Sequence, residues 1–365
     1  MRTSQDEASS KGSGNESGLD GPAAGCDGTN PSDKRNPKNW SMLKKIMHTI
    51  VPGLLAFEIV FSTSVTVPAS PILMLEFSIS RTVATLPLTL YALGLAFGPL
   101  FSAPLSEAVG RRPVYISSVA LLLAFTAGAG GAQNLATLLV CRFLAGFFGS
   151  AGVAIGAGTL ADVWDGSAAQ GPASIMFILG PFLGPTLGPI ASAYTLHGRG
   201  NDWRWTQWLV LMVGAPAMVG VLCMSETSAV ALEHRGEKDV HGEGRWKAAA
   251  RVVGHAIARP TRMLFTEIIV ASLTLYTAFA YAMIFSYFSS SSYVLAKYYG
   301  FNVREVGLSF IGVIIGYILA TVVFAVFDRT LYARAAAAEG SPPSPKHRLY
   351  SALVGSFFLP AGLFW

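Results

Sequence analysis

Two ionisable side chains stand inside long apolar stretches, and they define the chemistry open to this chain. Glu58 lies in PGLLAFEIVFSTSV and Arg142 in CRFLAGFFGSAG. A charge at that depth is costly and calls for a partner or a water-filled cavity. A carboxylate so placed can take up and release a proton, or hold a cationic substrate; it can equally be a protonated acid hydrogen-bonded inside a bundle with no further role. The arginine can face such a cavity or snorkel toward the nearer interface. A third pattern concerns packing. In GPFLGPTLGP, Gly180, Gly184 and Gly188 recur every four residues, forming a flat stripe along one side of a helix where a second backbone can approach. Pro185 and Pro189 are predicted to interrupt the hydrogen bonds of that helix and bend it.

The elements that must position these residues are membrane helices. The chain is 52% hydrophobic and only 13% charged, which excludes an ordinary soluble domain. Nine apolar runs approach the roughly 20 residues that a spanning helix needs: 46–67, 86–105, 114–133, 138–163, 172–194, 207–224, 264–288, 307–327 and 349–365. With the N-terminus cytoplasmic, twenty Lys and Arg residues fall on the inner side and five on the outer, the asymmetry expected of membrane topology. The net charge of +5 is therefore confined to loops and tails, and nucleic acid is not an expected partner. Cys26, Cys141 and Cys223 are too scattered for a disulfide framework or a zinc site. No H-E-x-x-H, G-x-S-x-G or phosphate-loop pattern occurs, so neither an enzyme nor an ATP-driven pump is indicated, no cofactor is expected, and an ion gradient is the expected energy source.

Between the second and third runs the chain reads APLSEAVGRRP. Glu107 at a helix end, beside the Gly110 turn and the pair Arg111 and Arg112, can form a charge cluster that latches neighbouring helices, with Asp162 at the end of the fourth run as the expected partner. The alternative is a simple positive-inside anchor. Asp328-Arg329, after the eighth run, reads as a weakened second copy. In the seventh run, Tyr276 and Tyr281 are candidates to line a substrate cavity, although an aromatic stripe is also ordinary packing. DWRWTQW, 202–208, reads as an interfacial belt.

Gly180, Gly184, Pro185 and Gly188 fill every fixed position of G-x-x-x-G-P-x-x-G, and on this motif the chain resembles proton-coupled antiporters of the major facilitator superfamily. Its repeated Gly-Pro form, continued at Pro189, resembles the fungal drug:proton branch. The loop resembles the superfamily's G-x-L-x-D-R-x-G-R-R at Leu105, Gly110, Arg111 and Arg112, with Glu107 in the Asp place and departures at Ala103 and Ala108. Arg142 and Gly146 resemble the fourth-helix motif R-x-x-Q-G, with Ala145 in place of Gln.

The resemblance extends over 36–365. It implies an all-α polytopic membrane protein with the major facilitator fold: a disordered cytoplasmic tail (1–45), a six-helix half (46–224), a central cytoplasmic loop (225–263) and about three helices of a second half (264–365). It further implies a monomer in the plasma membrane, or alternatively the vacuolar membrane, that works by alternating access. Protons enter while a small molecule leaves, be it a drug, a polyamine or a fungal secondary metabolite, with Glu58 and Arg142 on the proton path. Because the ninth run ends with the sequence, an incomplete or inactive fragment is one alternative. A facilitator or substrate-sensing receptor on the same fold is another.

Overall fold

The structure, a computed structural model, describes residues 36–164, 170–228 and 262–327, together with 258, 330, 355–358 and 361–362. Among the described residues eight helices are long and apolar enough to cross a membrane: α1 (Met42–Glu76), α2 (Leu86–Val109), α3 (Arg111–Gly130), α4 (Leu135–Trp164), α5 (Gly171–Gly198), α6 (Arg204–Cys223), α7 (Ile268–Tyr298) and α8 (Val303–Phe327). Most of the ninth run, most of the central segment, residues 1–35, and both Asp328 and Arg329 lie outside the described residues.

Local chemistry accounts for where the helices depart from the apolar runs. The seventh run is expected to end near 288, yet α7 continues to Tyr298. Its serines fold back onto the helix, Ser290 donating to the Ser286 carbonyl at 2.8 Å and Ser292 to that of Phe288 at 3.4 Å, so a polar stretch that reads as a loop stays helical. The Glu305 carboxylate accepts the Asn302 N–H at 2.7 Å and starts α8 at Val303, before the apolar run begins.

Helix α5 runs unbroken through Pro181, Pro185 and Pro189, so the predicted interruption amounts to three missing rungs and not to a break. What brings it close against α1 is the glycine stripe. A Cβ at Gly184 would lie 2.7 Å from the Phe57 carbonyl and the Phe61 nitrogen, and one at Gly180 would collide with the Gly53 carbonyl. Gly188 faces Ser64 in the same way. The backbones therefore approach closely from Gly180 to Gly188, a little over two turns of α5, and α1 and α5 form the most extensive helix pair among the described residues.

The apolar core divides between the two ends of the bundle. At the end carrying Arg111, Leu55, Tyr115, Val119, Ile155 and Val221 join α1, α3, α4 and α6. At the other, Leu73, Ala129, Leu138 and Leu196 surround Trp203. Trp203, predicted for an interfacial belt, is buried instead: its indole N–H donates to Glu76 at 2.7 Å, and Arg204 pairs with the same carboxylate at 3.0 Å. Helices α7 and α8 meet the first six at this same end, where Phe288, Val306 and Phe310 pack against Ile190 of α5, and α8 continues along α5, the Tyr317 ring lying 5.3 Å from the Phe182 ring.

Candidate functional site

Arg142 is positioned by a close crossing of α2 and α4. Asn134 caps α4, its side chain accepting the Thr137 N–H at 2.8 Å. One turn beyond Arg142, a Cβ on Gly146 would collide with the Tyr91 carbonyl, and one on Gly94 would lie 2.7 Å from the Phe147 nitrogen. So tight a crossing encloses the arginine completely, and it does not snorkel. Its guanidinium lies over the Tyr91 ring, 4.3 Å from the centroid. It donates to the carbonyls of Ser62 at 2.6 Å, Pro87 at 3.3 Å and Thr63 at 3.4 Å, and to Ser62 Oγ at 3.0 Å. The first segment of α1 ends at Ser64, so the Ser62 and Thr63 carbonyls belong to a last turn that no intrahelical N–H reaches. A cation is favourable at that helix end, and the planar fork of arginine reaches these spread acceptors from three separate nitrogens.

Glu58 precedes Ser62 by one turn on the same face of α1. It is fully buried, and among the described residues neither carboxylate oxygen has a hydrogen-bond partner. Gly214 of α6 provides the room, because a Cβ there would overlap Glu58 Oε1. Tyr91 donates its hydroxyl to the Ile59 carbonyl at 2.9 Å and lies within electrostatic reach of both Glu58 and Arg142. An ionised carboxylate without donors is expensive in such surroundings, and a proton removes most of that cost.

At the end of the bundle carrying Arg111, Gly110 joins α2 to α3 with φ 111°, a conformation that side-chain-bearing residues rarely adopt. The turn delivers the Arg111 guanidinium to Asp162 of α4 at 3.0 Å and to Ser106 Oγ at 3.2 Å, over the open face of Gly158. Arg112 donates to the Leu222 carbonyl at 3.0 Å. Both orphan N–H groups at the start of α3 go to Glu226, Arg111 N at 2.8 Å and Arg112 N at 3.1 Å. The same carboxylate accepts Thr227 N at 3.0 Å and Ser228 N at 2.9 Å. Glu107 is exposed and forms no ion pair among the described residues, although its charge acts on Asp162; the carboxylates that accept hydrogen bonds from the arginines here are Asp162 and Glu226.

The family model described as Major Facilitator Superfamily matches residues 53–365. The chain belongs to this superfamily. It is 35% identical over 350 residues to the MFS-type transporter traF of Penicillium crustosum, covering 94% of this chain and 71% of that protein. It is 35% identical over 348 residues to the efflux pump FUBT of Fusarium oxysporum, covering 92% and 58%, and 32% identical over 370 residues to Polyamine transporter 4 of Saccharomyces cerevisiae, covering 92% and 55%. The chain thus spans little more than half the length of the latter two. Among solved structures it shares the fold of the proton:xylose symporter XylE, with a TM-score of 0.54 at 13% identity over 81% of this chain and 70% of that one. A bacterial homolog of the human lysosomal transporter Spinster gives 0.51 at 15% identity over 86% and 72%.

Against this superfamily fold the remaining candidates fall apart from the buried pair. Tyr276 and Tyr281 are about half exposed on α7, with Tyr281 near Tyr317 of α8. The aromatic side chain that adjoins the arginine is Tyr91, one the apolar pattern of its run conceals among aliphatic neighbours. Gly214 and Gly158 likewise gave no signal of their own, since a glycine's use as a seat for a distant side chain depends on packing. Asp328 and Arg329, the proposed second latch, fall outside the described residues.

Proposed function

We propose that the chain belongs to a proton-coupled exporter of small organic molecules, working by alternating access. The observation that carries this reading is Glu58: a buried carboxylate with no donor among the described residues, one helical turn from the residue that anchors a buried arginine. Its oxygen occupies the space of a side chain absent at Gly214, a fit suited to gaining and losing a proton more than to admitting a bulky ammonium. Arg142 has the role of fixing the end of the first segment of α1, so that movement there alters the surroundings of Glu58.

The orientation proposed is N-terminus cytoplasmic, in the plasma membrane, with six helices before the central segment 225–263 and the second half after it. In that orientation the cluster of Arg111, Asp162 and Glu226 is a cytoplasmic latch that holds α3, α4 and the segment following α6 together, and loosens when the halves rock. Names given to relatives, efflux pumps and a polyamine transporter, support export of small molecules. The test is uptake into inverted vesicles carrying the full reading frame, with an imposed pH gradient and a panel of one polyamine, one basic dye and one aromatic acid. Gradient-dependent accumulation of a panel member supports the reading; equilibration unaffected by the gradient contradicts proton coupling and favours a facilitator.

A further inference from the structure

A cavity of about 320 Å³ lies at the Trp203 end of the bundle, well away from the latch, with both halves contributing walls. Its lining includes Thr66 of α1, Arg81 and Thr85 of the stretch leading into α2, Ser292 and Tyr293 of α7, and Val306 of α8. Most of the remaining wall is apolar, and the volume suits a compact small molecule.

Three features of the wall define a ligand class. Arg81 is the one charged residue of the lining, its guanidinium stacked on the Tyr293 ring at 3.4 Å. Lys297 adds a second positive charge at the same ring, its ammonium donating to the Tyr293 hydroxyl at 2.6 Å. Among the described residues no carboxylate pairs with either cation: Glu76, the acid nearest Arg81 in sequence, is engaged with Trp203 and Arg204, and Glu305, the one nearest Lys297, with the Asn302 N–H. The Arg81 guanidinium also hydrogen-bonds the Tyr293 hydroxyl, and a guanidinium has five N–H donors, more than that contact uses, so others are available to a carboxylate. Finally, Thr66 is only 4% exposed, and its hydroxyl has no partner among the described residues. An unpaired buried hydroxyl is costly, and a polar group that reached Thr66 would remove that cost.

We propose that this cavity binds small organic acids: a carboxylate against Arg81, a compact apolar body along the walls, and a second polar group toward Thr66. In the proposed orientation the site lies at the outer end, where exported cargo is released; only this placement in the cycle rests on the transport reading.

The test is ligand-observed fluorine NMR on the purified full chain in nanodiscs, without any gradient, using 3-fluoro-4-hydroxybenzoate and its primary amide as probes. The wild type is expected to bind the acid at least tenfold more tightly than the amide. Arg81→Gln should remove that preference while leaving amide affinity within twofold, and Thr66→Val should weaken the hydroxylated acid severalfold but not 3-fluorobenzoate. Equal wild-type affinity for acid and amide overturns the proposal with no variant needed, as does an acid affinity indifferent to Arg81→Gln. Since no proton gradient enters the measurement, a chain that fails to couple protons can still bind the acid, and one that couples protons can still fail this test.

Discussion

The Glu226 carboxylate accepts the backbone N–H of Arg111 at 2.8 Å, across 115 residues of sequence, and thereby ties the segment after α6 to the first turn of α3. The arginine whose backbone is held this way reaches Asp162 with its side chain at 3.0 Å. One residue therefore connects three elements: backbone to the central segment, guanidinium to α4, and position to the Gly110 turn.

Glu226→Gln removes the charge from four accepted hydrogen bonds and should lower stability by about 2–3 kcal/mol, with transport reduced in proportion to the loss of the folded latch. Glu107→Gln, at an exposed position without an ion pair, should shift stability by no more than about 0.5 kcal/mol. Thermal melting of the two purified variants checks the contrast. Equal losses would mean that Glu226 holds no more of the latch than Glu107 does.

The glycine stripe predicts a graded response. Gly184→Ala places a Cβ 2.7 Å from backbone atoms of α1, which cannot rotate aside, and should cost about 1–3 kcal/mol. Gly316→Ala, where a Cβ would meet nothing within 4 Å, should leave the melting temperature unchanged or slightly raised. A harmless Gly184→Ala would show that α1 and α5 are not in backbone contact.

Much of this architecture was legible before any coordinates. The glycine spacing of α5 revealed a face for close packing because spacing on one helix is local information, and the first eight apolar runs located the eight described spans because bilayer thickness fixes their length. Arg142 and Glu58 stood out for the cost of charge in apolar surroundings. What the chain could not disclose was the partner in each case. That Gly184 meets Phe57, that Gly214 seats Glu58 and that Glu226 caps α3 are long-range facts that leave no mark at either residue. Boundaries failed where polar side chains satisfied the helix instead of ending it, as the serines of α7 do.

Arg142→Lys should be as inactive as Arg142→Ala, because an ammonium has three donors on one atom and cannot match the four acceptors that Arg142 reaches from three nitrogens. Ser62→Ala should be mild by comparison, since the shortest bond, at 2.6 Å, goes to the Ser62 carbonyl and survives the substitution. Initial rates of gradient-driven uptake at matched protein levels compare the three variants. Full activity in Arg142→Lys would reduce the residue to a source of positive charge.

Gly214→Ala should disturb proton coupling before it disturbs folding, because its new methyl group would occupy the space of Glu58 Oε1. The expected signature is a shift in the pH dependence of uptake with less than a twofold change in the affinity for substrate. An unaltered pH profile would separate Gly214 from the proton site.

The central claim is that Glu58 carries the coupled proton, and the most direct measurement compares two modes of the same vesicles. In Glu58→Gln, accumulation driven by an imposed pH gradient should fall to background, while substrate-for-substrate exchange, which needs no net proton movement, should continue at a rate near that of the unaltered protein. Retained gradient-driven accumulation in Glu58→Gln, at normal protein levels, would contradict the assignment and leave the buried carboxylate as a structural acid.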